Sequence, residues 1–405
     1  MTITERTESR STETTTGTES TASAASAAGT RAGWQEARAV AFAAASALPV
    51  ETVPLEAAVG RVLADPVAAL HDVPHYASSA MDGWAVAGPG PWTVVSADAL
   101  LPGQATAIVT GGVIPVGADA VVRSEVAELF GPSLAAPTPT TGHHVRPAGE
   151  EARRGETVIA TGTVLNPAHI ALAAGAGHDS LTVRRPVRVA LALTGGEVVT
   201  SGLPTPGQVR DSFGPQLPAL LGMLGASVTS SCRVADTLAG TIAALEQPDA
   251  DVIISTGGTG GSDRDHLRAA LHQLGATLLV DGIRMRPGGP TLLARLPDGR
   301  LVLALPGNPL AAMLALLSVG MPLLAGLRGT RLPQLGEVPL GIAVDGVARA
   351  DVLMPYRLED GAAVPNRHRA SGMMRGLADA AGVLVVPPAG AEKGDRVATI
   401  ALPWN

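Results

Sequence analysis

Apolar and polar positions follow two rhythms along the chain, and the rhythm changes near residue 187. Ahead of that point, Ala32 to Ala47 is alanine-rich and predicts a helix that stops before Pro49. Leu55 to Leu63, with Val59 and Leu63 on one stripe, predicts a second. Short apolar runs separated by Gly and Pro predict strands at Trp92–Val95, Ala107–Val109 and Ala120–Val122. Asn166 to Ala174 reads as a helix with Gly175 as its stop. From Val187 onward strands and helices alternate. Val187–Leu193 is a strand, and Asp211-Ser212 caps a helix that runs to about Leu224 and closes at Gly225. Ala226–Val234, Val252–Ile254 and Leu301–Leu305 are further strands, with helices at Thr237–Leu245 and from His266 to Leu271. That alternation predicts a largely parallel sheet covered on both faces. After Gly329 the helices stop, and 336–405 reads as short strands in a small β domain.

One stretch imitates a membrane span. Leu301 to Leu327 is almost wholly apolar, but Pro306, Asn308, Pro309 and Pro322 interrupt it. Backbone groups freed at such breaks are costly in lipid, so the segment is expected to be a buried strand and a core helix, with no membrane involved. The first thirty or so residues are Thr, Ser, Glu and Ala; they offer too little apolar surface to offset ordering entropy and are expected to be disordered. Early acids and the absence of an apolar core argue against a signal peptide there. A net charge of -7 argues against a nucleic-acid partner. The single cysteine, Cys232, excludes an internal disulfide and fits a reducing cytoplasm.

The candidate chemistry centres on 251–265. An apolar β-branched strand runs into Gly257, Gly258, Thr259 and Gly260, and a helical pattern follows. Strand, glycine turn and helix together form a cradle of backbone N–H groups for an anion. Asp263 and Asp265 sit where that helix starts, able either to cap it or to hold a divalent cation beside a phosphate. Ligands of open α/β sheets bind beyond the carboxyl ends of the strands. Glu197, Asp211, Asp236, Asp265 and Asn308 all fall there. Arg284 to Pro290 is a basic, proline-bounded loop. Asp82, followed by Gly83, reads either as an Asp-Gly turn or as a carboxylate at a close approach of backbone and ligand. The mixed charges of Arg146 to Glu156 read as a solvated face, and His143-His144 lacks partners at metal-ligand spacing.

In this order the motifs resemble the MoeA family, the bacterial counterparts of the gephyrin E domain. The matching stretches are Ser79–Val86, Thr110–Val121, Thr194–Glu197, Asp211–Phe213, Thr256–Asp265, Met285–Pro290, Leu305–Pro309 and Ser371-Gly372. The resemblance implies a multidomain α/β and β protein. It has a tail (1–31), a discontinuous helical linker domain (32–70 and 147–185) and a β-rich lid (71–146). A central three-layer α/β domain of the MogA/MoaB type (186–330) and a C-terminal β domain (331–405) complete it. It implies insertion of molybdate into adenylylated molybdopterin with release of AMP, and an elongated homodimer with its active site at the interface. Asp82, Thr110, Glu197, Asp236 and Asp265 are the implied catalytic residues, with Asp82 and Thr110 acting across the dimer. Glu197, Asp236 and Asp265 would hold Mg²⁺. Gly257, Gly258, Thr259, Gly260, Arg286, Pro306, Asn308, Pro309 and Ser371 would bind substrate. The pathway's adenylyltransferase is an implied partner.

The chain departs from the family pattern at Gly196, Phe213, Thr237, Gly289 and Glu151, and its Thr256–Gly260 and Arg264-Asp265 resemble the MogA-type adenylyltransferases. Two other readings follow from these departures: a weakened paralogue acting as a molybdopterin-binding scaffold, and an adenylyltransferase-like enzyme.

Overall fold

The computed structural model describes residues 31–246, 249–259 and 266–405. Its centre is a six-stranded sheet built from β1 (Val187–Leu193), β2 (Ala226–Arg233), β3 (Val252–Thr256), β4 (Thr277–Asp281), β5 (Leu292–Arg295) and β6 (Leu301–Leu305), in the order β2-β1-β3-β6-β5-β4. β2, β1, β3 and β6 are mutually parallel; β5 runs antiparallel to β6, and β4 antiparallel to β5. The sheet is therefore parallel only where strand alternates with helix. The β4–β5 excursion departs from the parallel expectation because those strands join without a crossover helix.

Helices cover both faces. On one face lie α1 (Trp34–Ala43), α3 (Phe213–Met223), α6 (Pro309–Ala315) and α7 (Met321–Arg328), with α2 (Pro167–Gly175) apart from the sheet. On the other lie α4 (Leu238–Leu245) and α5 (Leu267–Gln273). The core divides the same way. Leu191, Leu193, Ile254, Leu303 and Leu305 face the first set, while Ala190, Ala192, Ile253, Val302 and Ala304 face the second. Alternate residues of one strand point to opposite faces, so adjacent residues feed different cores.

The membrane-like stretch is the central core helix. Pro309–Arg328 is continuous over 20 residues and is long and apolar enough to span, yet 89% of its most apolar window is buried inside the fold. Pro322 does not interrupt it. A π turn at Leu316–Gly320 precedes this proline, which takes an early position of α7 where its missing N–H costs little.

The expected helix at 55–63 is not formed. Val50–Pro54 is a strand paired antiparallel with Ser180–Arg184, and only Leu55–Ala57 makes a short 3-10 turn. Pro54 and Gly60 (φ +78°) account for the interruption; Leu63 packs in a cluster with Leu165, Leu181 and Val183, while Val59 is left exposed. Another sheet, from Gly83 to Ala135, orders its strands 120–123, 83–86, 104–108, 92–94, 133–135 and 128–130. The strand expected at Ala107–Val109 is centred earlier, at Gln104–Ile108. Past Gly329 the chain is not free of helix, because Arg375–Ala378 forms one turn beside a β-sheet that runs to Arg396–Ile400.

Candidate active site at the strand ends

The parallel strands β1, β3 and β6 stop in register, with Leu193 beside Thr256 and Thr256 beside Leu305. Past those ends lies a cavity of about 1110 Å³. Its walls take in Glu197, Asp211, Asp236, Thr256, Gly257, Gly258, Thr259, Pro306, Asn308 and Pro309. Residues more than 100 positions apart in sequence thus converge on one sheet edge.

The glycine turn is set by backbone demands. Gly257 (φ +78°) and Gly258 (φ +67°) lie in the left-handed region that L side chains rarely adopt. A Cβ on Gly257 would fall 2.6 Å from the Thr194 Oγ1. That hydroxyl donates to the carbonyl of Thr256, and the Gly257 N–H donates to Leu305 at 2.9 Å, so the turn is tied to both neighbouring strand ends.

The carboxylates differ in how far they are already committed. Asp236 accepts from the N–H of Gly196 at 2.9 Å and of Gly195 at 3.3 Å, so it holds the loop after β1. Glu197 is exposed at the mouth of the same cavity. Asp211 begins α3: its Oδ1 accepts from Phe213 and Gly214, each at 3.0 Å, and its other oxygen pairs with Arg233. Burial pushes the Asp211 carboxyl up, but the Gly214 N–H, the Arg233 guanidinium and the Phe213 N–H outweigh it and hold it below the usual range. Ser212, expected as a cap beside Asp211, makes no side-chain cap hydrogen bond; the aspartate does that work. Asn308 takes the N-cap position of α6 without a side-chain cap bond, with Pro309 at the start of the helix.

Other expected site residues lie elsewhere. Asp82 and Thr110 find each other: the Thr110 N–H donates to Asp82 Oδ1 at 2.7 Å. That bond and one from the Thr110 side chain lower the Asp82 pKa. Neither residue is in the cavity wall of its own chain. Arg286 is exposed on a two-residue strand paired with Val352, also outside the described wall. Ser371 is also outside the described wall: its carbonyl accepts from the Ala311 N–H at 3.1 Å, while nearby Gly372 and Met374 line the cavity. Gly260, Asp263 and Asp265 lie outside the described residues.

Comparison with known proteins agrees with this geometry. Residues 33–177 match the family model described as MoeA N-terminal region (domain I and II), and 190–326 match the one described as probable molybdopterin binding domain. A molybdopterin molybdenumtransferase of Nostoc sp. is 35% identical over 303 residues, covering 69% of this chain and 70% of the relative. One from Bacillus subtilis is 32% identical over 331 residues, covering 75% of each. The chain belongs to the MoeA family of molybdopterin molybdenumtransferases. Its fold agrees: a molybdopterin biosynthesis MoeA protein of Pyrococcus horikoshii superposes with a TM-score of 0.75 at 25% identity, covering 92% of this chain and 99% of that one.

For a MoeA-family chain the departures now have places. At Gly196 a Cβ would stand 3.5 Å from an Asp236 oxygen, so an acid there would crowd like charge onto Asp236. Thr237 caps α4 through the N–H of Gly240 at 3.1 Å, a structural task. Phe213 lines the cavity and packs against the larger core. Sequence reasoning missed Ser255, Thr241, His266 and Met374 as wall residues. Only Ser255 carried a signal, being a polar residue at the end of an otherwise apolar buried strand.

Proposed function

We propose that this enzyme inserts molybdate into adenylylated molybdopterin and releases AMP, as part of molybdenum cofactor biosynthesis. The observation that carries the reading is the cavity itself. It joins a left-handed glycine turn of backbone donors to the carboxylates of Asp236 and Glu197 at the ends of parallel strands. Backbone N–H groups suit the substrate's pyrophosphate and the molybdate dianion, because fixed donors in a partly enclosed site need no reorganisation as charge develops.

The described acids fit Mg²⁺ in one particular manner. No group of three or more His, Cys, Asp or Glu converges among the described residues. Mg²⁺ is commonly held by one or two carboxylates with substrate phosphates completing its shell, and Asp236 and Glu197 supply hard oxygens of that kind, with Asp265 as the third candidate. Such an ion would polarise the phosphoanhydride. The chain's own contribution is to hold the substrate: Asp236 fixes the 195–196 loop, and the Gly257 N–H ties the left-handed turn to β6, leaving the turn beyond Gly257 to meet an anion.

Asp82 and Thr110 belong to this site through a second copy of the chain. Their pairing on an exposed turn, away from their own cavity, supports that reading. So do the neighbouring exposed apolar side chains Val109, Val113 and Val116. A cytoplasmic location, contact with the pathway's adenylyltransferase, and the division at 1–31, 32–70 with 147–185, 71–146, 186–330 and 331–405 complete the proposal. The test is molybdate-dependent release of AMP from adenylylated molybdopterin by purified protein. Binding without release identifies a scaffold instead.

A further inference from the structure

The cavity wall draws on side chains from both faces of the sheet, Phe213 and Met374 from one and Ala192, Ala244, Leu245 and Leu267 from the other. Ser255 and Thr256 are adjacent on β3 and so point to opposite faces. Thr256 continues the side of Ile254, toward α3 and α6, and Ser255 continues the side of Ile253, toward α4 and α5. On the Ser255 side the strands narrow to small side chains: Ala192 and Ala304 flank Ser255 in direct lateral register. Opposite this floor stand Thr241, Ala244 and Leu245 of α4 and Leu267 of α5. The result is an apolar slot with a floor of small side chains.

Ser255 is the anomaly in the slot. It is 4% exposed, and its Oγ has no hydrogen-bond partner among the described residues; the Thr256 Oγ1 is likewise unpaired, but on the other face of the sheet. Thr241 beside it is satisfied, its hydroxyl donating to the carbonyl of Thr237 at 3.0 Å. A buried hydroxyl left unpaired is destabilising, so a bare apolar wall would use alanine there. An orphan hydroxyl on the floor of a flat apolar slot matches a planar ring with polar atoms on its edge. A cavity of about 1110 Å³ has room for such a ring beside a pyrophosphate.

We infer that the slot between β3 and α4/α5 takes a fused nitrogen heterocycle of the substrate, and that Ser255 is a specificity-determining residue that hydrogen-bonds the ring edge. The inference rests on the function proposed above and deepens it. The substrate carries two such rings, the adenine and the pterin, and the hydroxyl suits either because it can donate or accept.

The experiment measures calorimetric affinities of wild type and Ser255→Ala for AMP, ribose 5-phosphate and 6-hydroxymethylpterin, together with each protein's Tm. Ser255→Ala should weaken one ring-bearing ligand about tenfold, the worth of one hydrogen bond, and leave ribose 5-phosphate unchanged. Loss confined to AMP assigns the slot to adenine; loss confined to the pterin assigns it to that ring. Tm should hold or rise, because the orphan hydroxyl is gone. Three results overturn the inference: unchanged affinity for both rings, or no measurable binding of either by wild type; equal weakening of all three ligands; or a fall in Tm of several degrees, which would show that the hydroxyl is paired within the fold. No molybdate and no turnover enter these measurements. Failure here therefore stays distinct from failure of AMP release.

Discussion

The strand-end cavity and the Asp82–Thr110 turn are built by opposite means. In the cavity, β1, β3 and β6 end level, helices α3, α4 and α6 start around them, and Asp211 and Asp236 are held by N–H groups of the same domain. The turn is an exposed pair beyond the ends of two strands of another sheet, with one carboxylate bonded to one threonine, and neither residue lines the strand-end cavity. A regular sheet can complete its own binding site; an isolated turn needs a second surface. Under the proposed function, the distance of Asp82 and Thr110 from their own chain's cavity is a statement about assembly as much as about chemistry.

The sharpest way to break the comparison is complementation. Asp82→Asn and Asp236→Asn should each lower AMP release by about 100-fold or more, as removal of a charged group acting in the transition state does. When the two variants are co-expressed as mixed dimers, one cavity regains both wild-type residues and activity should return. Rates in the mixture no higher than in the single variants would place both residues in one chain's site. Asp265→Asn should cut AMP release by orders of magnitude while Asp263→Asn stays mild; equal effects on rate would remove Asp265 from the metal site.

Next in size is Gly257→Ala. The added Cβ meets Thr194 and the left-handed φ is strained, so stability should fall by about 1–2 kcal/mol, read from denaturant unfolding. Gly111 also has a positive φ (+80°) but an open Cβ direction, so Gly111→Ala should cost less than Gly257→Ala.

Smaller still is a pH effect. The Asp211 pKa is lowered in the fold, so its stabilising contribution is present above the unfolded value near 3.9 and is lost as pH falls through the folded value. Asp211→Asn should abolish that acid limb of the stability profile and leave the neutral limb parallel to wild type. Asp82, lowered by Thr110, stays ionised from pH 5 upward, so its contribution to rate should be flat there. The smallest effect expected is from deleting residues 1–30, whose composition offers almost nothing to pack; Tm and AMP release should be unchanged.

Legibility followed the same division. Val187–Leu193 and Leu301–Leu305 are strands over the residues their apolar runs predict, because a strand buried on both faces is apolar almost throughout, Arg188 being the one polar position in the two. The helix starting at Asn166 was legible from its cap, which accepts from His169 at 2.9 Å. The 55–63 helix failed because an apolar stripe three and four apart also suits a strand end and a turn when a proline and a glycine divide it. Glu197, Asp236 and Asn308 were legible as cavity residues because each follows a strand end. Arg286 was placed by motif; the arginine itself is outside the described wall, which its motif reaches only through Pro290.

By itself the sequence determined the local vocabulary: which runs are buried strands, where glycine permits a left-handed turn, and which acids follow strand ends. Those are properties of a residue and its near neighbours. The tertiary structure decided what stands opposite what. It set β1, β3 and β6 level, put Ala192 and Ala304 on either side of Ser255, and tied Asp236 to a loop some 40 residues earlier. It also took Asp82 and Thr110 away from their own cavity. The physical reason is that strand order, register and helix packing come from burying two separate cores across one sheet. That global balance leaves no mark at any single position.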